Sequence, residues 1–323
     1  VLRHDGLGTR RLPGFVIERR SLRATVIAVA GAVLITACSG GAADTTTTAN
    51  PPDTTETATE TFVGADGVEV ASPDTERIVT LSGDLTEFAF KLGFGESVVA
   101  TDVTTLEPEE AALLPKVGVG RFLNAEAVLK QNPTLVIGDT QTSPATAIEQ
   151  IRAAGVPVAI LDVPTTFPGL YDKVADLGTL LAASDTAASL SQQMRADIAA
   201  ASQQSDDPAS RPRIAYVYTR GPDVMLLFGA GMTTSPLIQS AGGADAGVEA
   251  GVVGTVDVTP EALAAAAPDV LIVPSEGYEV LGGLEGLLAI PGVAATPAGA
   301  AGAVLSYPEG DFLTFGPRVA ESI

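Results

Sequence analysis

The sequence predicts an α/β protein of two similar lobes with parallel sheets, joined by a long helical strut. Three observations predict it. Short aliphatic runs alternate with helix-patterned segments on both sides of a strand-free stretch. That stretch, from Phe167 to about Gln204, reads as helix throughout. And one phrase occurs twice: "NAEAVLKQNPTLVIG" from Asn124, and "TPEALAAAAPDVLIV" from Thr259. Each has Glu third, Ala fourth, Pro seven residues after the Glu, then an aliphatic run. A doubled helix–strand unit is expected of two related lobes. Strands that alternate with helices give a parallel sheet covered on both faces.

In chain order, residues 1–37 read as a signal peptide. Arg19, Arg20 and Arg23 precede the apolar run Ala24–Ala37, which is of signal-peptide length and short for a membrane span. Val16 could be the true start, in which case His4 is not part of the protein. "ITAC", Ile35–Cys38, resembles a bacterial lipobox, and Cys38 is the chain's one cysteine. Lipidation of Cys38 would anchor the protein; the alternative is an ordinary secretory signal with an incidental cysteine. Residues 38–75 are rich in Thr, Ala, Asp and Pro and poor in large apolar side chains, so a disordered tether is expected.

The N-terminal lobe is placed at 76–166. "RIVTLS", "SVVATD", "PTLVIGD" and "VPVAILD" read as strands; "DLTEFAFKLG", "NAEAVLKQN" and "SPATAIEQIRAAG" read as helices. Asn124 is a cap, and Glu126 sits favourably in the first turn. The strut is placed at 167–211, its second helix near 30 Å long at about 1.5 Å per residue. The C-terminal lobe, 212–323, reads "RIAYVYTRG" strand, "TTSPLIQSAGG" helix, "TPEALAAAA" helix, "PDVLIVPS" strand, "EGLLAIPG" helix and "AVLSYP" strand. "FGPRVAESI" looks like the start of a last helix.

Composition excludes several functions. A net charge of −21 opposes nucleic-acid binding, because phosphates attract Lys and Arg. The single histidine, His4, lies outside the folded part, so a histidine base or a multi-histidine metal site is excluded there. One cysteine permits no intrachain disulfide. Hydroxyls in "GDTQTS" have no base beside them, and no Gly-rich phosphate loop occurs. Glu107, Glu109 and Glu110 lie in a polar loop as solvent charges. An enzyme is therefore not expected.

The acylated N-terminus, Thr-rich tether and paired lobes resemble the substrate-binding lipoproteins of bacterial ABC importers, in the cobalamin, ferric-siderophore and haem class. "RIVTLSGDLTEFAFKLGFGESVVATD", "AEAVLKQNPTLVI", "QIRAAGVPV", "GAGMTTSPLIQSAGGADA", "TPEALAAAAPDVLIV" and "FGPR" carry the resemblance. It implies Rossmann-like lobes, a stiff strut and a ligand cleft between the lobes. It implies that Glu126 and Glu261 dock on the permease, although both are also ordinary helix N-terminal acids. It implies a protein held on the outer face of the cell membrane, working with permease and ATPase subunits.

"YVYTRG", "GAGMTTSPLIQSAGG" and "EGYEVLGGLEGLLAIPGVAATPAG" resemble the haem-binding members most closely. In that subgroup a tyrosine is followed two residues on by an arginine; here the pair is Tyr218 and Arg220. The chemistry agrees. Ferric iron prefers an anionic oxygen. A phenol ionises only near pH 10 without help, and residues i and i+2 on a strand share a face. Arg220 would thus favour a Tyr218 phenolate ligating haem iron. Tyr216 shares that face, and tyrosine is also simply a good strand residue. Many haem binders supply a second ligand from the first-lobe loop, where this chain has Val119 in "VGVGRFLNAEA". A sixth ligand would come from Met232, Tyr278 or water. Arg121 in that loop could pair with a haem propionate or a siderophore group. Haem is thus expected as transported ligand and not as catalytic cofactor, with ferric siderophore or cobalamin as alternatives.

Overall fold

The structure, a computed structural model, describes residues 61–203, 210–313 and 315–323. The signal segment, Cys38 and the tether as far as residue 60 lie outside the described residues.

The first described element is a hairpin, β1 (Thr61–Val63) and β2 (Glu69–Ala71), paired antiparallel. It corrects the C-terminal part of the expected tether. Phe62 and Val70 point inward at 4% and 5% exposure and join the main core. Ala65 N–H bonds Ile160 O at 2.8 Å, and Asp66 pairs with Arg152 at 2.7 Å. Two apolar side chains on one face were enough to dock a segment whose composition reads as solvated.

The first lobe holds β3 (Ile78–Thr80), β4 (Val98–Thr101), β5 (Leu135–Asp139) and β6 (Val158–Leu161), all parallel, in the order β4-β3-β5-β6. Crossovers run through α1 (Gly83–Lys91), α2 (Glu109–Ala112), α3 (Ala125–Leu129) and α4 (Ala145–Ala153). β5 and β6 are buried at every position, as expected of strands covered on both faces.

The strut is a helical hairpin, α5 (Phe167–Leu180) and α6 (Ser184–Ala201). Thr166 caps α5 by accepting from Gly169 N–H, and a proline occupies its first turn. The helices pack closely: a Cβ on Gly178 would lie 2.5 Å from that of Ala187. At 18 residues α6 spans about 27 Å.

The second lobe is built on β7 (Arg213–Thr219), β11 (Val270–Pro274) and β12 (Val304–Tyr307), parallel and adjacent in that order. β8 (Met225–Phe228) and β10 (Thr255–Asp257) extend the sheet antiparallel beyond β7, and β9 (Ala244–Asp245) pairs with the start of β7. The helices are α7 (Thr234–Ser240), α8 (Ala246–Glu249), α9 (Pro260–Ala266), α10 (Ser275–Leu281), α11 (Gly283–Leu288), α12 (Pro297–Ala301) and α13 (Glu309–Leu313). The expected terminal helix is instead a 3-10 turn, Val319–Ser322.

The doubled phrase folds as α3–β5 and α9–β11. β5 lies between β3 and β6 as β11 lies between β7 and β12, so the two units hold equivalent places. Each lobe has a core of its own. A third cluster runs through both: Ile78, Phe88 and Leu135 of the first lobe, Leu170, Leu177 and Met194 of the strut, and Tyr216, Ile272 and Phe312 of the second lobe.

Candidate functional site

In a parallel sheet the strands' carboxyl ends gather at one edge, and ligands bind there. Both lobes turn that edge to one cavity of about 680 Å³, a size that suits a small-molecule ligand. Ser82 and Asp84 follow β3, Asp102 follows β4, Asp139 ends β5, and Val163 follows β6. Across from them, Arg220 follows β7, Glu276 follows β11 and Glu309 follows β12. Val103, Leu106 and Val119 of the first lobe and Val280 of the second present apolar side chains 44%, 74%, 37% and 67% exposed.

The second-lobe wall is a charged chain. Tyr218 and Arg220 share a face of the strand and its extension, and Arg220 Nε donates to the Tyr218 oxygen at 2.5 Å. Arg220 Nη2 donates to both carboxylate oxygens of Glu309, at 2.7 and 2.9 Å. The Tyr218 hydroxyl lies 3.5 Å from the nearer one. Glu309 is itself positioned by Glu276, whose carboxylate accepts its backbone N–H at 3.2 Å. The hydrogen bond to Tyr218, then that to Glu309, raises the pKa of the Arg220 guanidinium. Arg220 and Glu309 line the cavity, and Tyr218 stands behind them, half-buried, its ring stacked on Phe228 at 6.1 Å. Tyr216, on the same face, is buried between Phe228 and Phe312. Burial first, then the charges of Glu309, Tyr218 and Glu276, pushes its phenol pKa up.

The first-lobe wall carries a buried ion pair. Lys173, on α5, reaches Asp84 Oδ2 at 2.5 Å with its side chain 1% exposed. Burial alone would raise the Asp84 pKa, but the charge and hydrogen bond of Lys173, together with hydrogen bonds from Ser82 and the Leu85 backbone, leave it lowered. Asp139 goes the other way: burial and the charge of Asp84 raise its pKa. Asp102 accepts from the N–H groups of Gly120 and Thr104 at 2.7 and 2.6 Å and so pins the loop that carries Arg121.

Of the residues singled out in the sequence, Arg121 and Arg220 line the cavity, and Tyr218 is one hydrogen bond away. Val119 lines it where the loop offers no ligating side chain. Met232 is part-buried against the shared core. Tyr278 lies on α10 and packs against the second lobe's own core. Neither is among the described residues lining the cavity. Glu126 and Glu261 are exposed in the first turns of α3 and α9, behind the caps Asn124 and Thr259. Glu309, Glu276, Lys173 and Asp84 were not anticipated. "SYPEGDF" did carry one signal for Glu309, an acid directly after a strand and a proline.

A family model described as periplasmic binding protein matches residues 78–310. The periplasmic heme-binding protein RhuT from Roseiflexus sp. RS-1 is 40% identical, with a TM-score of 0.71 over 77% of this chain and 95% of that one. The heme binding protein HmuT is 32% identical, with a TM-score of 0.73 over 81% and 86%. HmuT is also solved as variants in which a tyrosine, an arginine two positions later, or a histidine is replaced by alanine. A cobalamin-binding protein of Halobacterium salinarum is 27% identical over 260 residues, 77% of this chain and 68% of its own.

Proposed function

Since the chain belongs to the periplasmic binding protein family, we propose that its cleft captures ferric haem outside the cytoplasm and delivers it to an ABC permease. The observation that carries this reading is the Arg220 Nε contact to the Tyr218 oxygen at the cavity wall. Ferric iron is a hard acid that binds phenolate well, and an adjacent guanidinium favours the anion. The apolar residues at the cavity wall suit the faces of a macrocycle, and Arg121 is placed to meet a propionate. The same tyrosine–arginine spacing occurs in the haem-binding relative HmuT. Glu126 and Glu261 would then meet the permease, and acylated Cys38 would hold the protein at the membrane.

Titration of the purified protein with ferric haem tests the reading. A Soret band with a tyrosinate-to-iron charge-transfer band is expected. Tyr218→Phe should lose the charge-transfer band and most of the affinity while keeping the ring's packing. Uptake that survives this change with an unaltered spectrum would overturn ligation by Tyr218. The similarity to a cobalamin-binding protein favours a second reading. Binding of cobalamin without binding of haem would establish it.

A further inference from the structure

Arg220 is shared. Its Nε serves Tyr218, while its Nη2 is held by both oxygens of Glu309. Glu309 is also close to the phenol itself, 3.5 Å away, where a neutral hydroxyl can donate to it. A phenolate has no proton to donate, so the same geometry would set two negative oxygens side by side. Loading the cleft with ferric iron through Tyr218 therefore requires Glu309 to move off or to bear that repulsion. Arg220 must also divide one positive charge between two anions. The backbone hydrogen bond from Glu309 to Glu276 keeps the competitor in place.

We propose that Glu309 is a positioning residue that competes with the bound iron for Tyr218 and Arg220, and so sets how readily the cleft gives up its cargo. The inference rests on the haem reading above. With the cleft empty, Glu309 closes the tyrosine–arginine pair into a neutralised cluster. With ferric haem bound, Glu309 is the group that recaptures Arg220 as the iron leaves. A carboxylate kept within reach shortens the path from ligated to free.

The test is the rate at which ferric haem passes from the purified full chain to an excess of a haem-accepting protein. Glu309→Gln keeps the shape and removes the charge, and should slow release by about five-fold, the upper reach of a part-exposed ion pair. Glu309→Ala should act in the same direction. Slower release is not what a loosened fold would give. In an Arg220→Gln background, Glu309→Gln should change the rate much less, because the shared guanidinium is gone. Unchanged or faster release in both Glu309 variants, with the tyrosinate band intact, would overturn the competition and leave the haem reading standing. A chain that takes up no haem, or takes it up without Tyr218, would overturn both.

Discussion

Lys173 has its side chain 1% exposed, and its partner there is Asp84. Removing one member of a buried pair leaves the other uncompensated, at a cost of about 3–5 kcal/mol. Lys173→Met should lower stability by that order at neutral pH, measured by chemical denaturation. The pH dependence follows in sign. Because the folded pKa of Asp84 is lowered, the pair's contribution is present above the ordinary carboxylate range and is lost as pH falls through the folded value. The deficit of Lys173→Met should shrink on acidification. Asp139 is the opposite case: a raised pKa means that its ionised form costs stability at neutral pH. Asp139→Asn should therefore stabilise the protein at pH 7 and lose that advantage below the ordinary carboxylate range. At this scale the sequence showed Tyr218 and Arg220, because two residues on one strand share a face by local geometry alone. It hid Glu309 and Lys173, because each meets its partner across 89 positions of chain. No local period links such distant residues.

At the scale of elements, the doubled phrase was legible because a cap, a first-turn acid, a proline and an aliphatic run follow one another within one short segment. The strands β8 and β10 were not. They are four and three residues long, too short for an alternation to stand out from chance, and β10 is exposed at every position. The hairpin β1–β2 was hidden by composition, yet Phe62 is 4% exposed in the main core. Phe62→Ala should cost about 3–5 kcal/mol, as for a buried aromatic and unlike a tether residue. The strut offers a second test. Gly178→Ala improves helix propensity by about 1 kcal/mol, but sets a methyl 2.5 Å from that of Ala187. Overpacking of about 1–3 kcal/mol should win and lower the melting temperature, and a compensating Ala187→Gly should restore it. Gly277 is similarly confined on α10: a Cβ there would lie 1.9 Å from Thr219 O, one residue from Arg220. The helix therefore sets where the strand's end, and with it the guanidinium, can lie.

For the whole molecule, the two-lobe plan and the helical strut were readable from the repeat and the strand-free stretch, but the apolar core that lobes and strut share was not. The shared cluster draws side chains from both lobes and the strut. Arg318, near the end of the chain, adds an ion pair to Glu87 of α1, with both oxygens at 3.0 Å. Hydrogen bonding to Glu87 raises the Arg318 pKa further. Glu126 and Glu261 stand on surfaces away from this joint, exposed and outside the cavity lining. Charge reversal at both should abolish uptake into cells or vesicles while leaving the ligand titration unchanged; uptake that persists would mean the repeat records shared ancestry alone. The joint also bears on how fast the cleft can be filled. Swinging the lobes apart would bare the common core, so the cheaper route in and out is past the exposed side chains of Leu106, Val103 and Val280, which reorient within nanoseconds. Loading from solution is then a matter of encounter and side-chain sorting at a standing entrance. A viscous cosolvent should slow it no more than it slows diffusion.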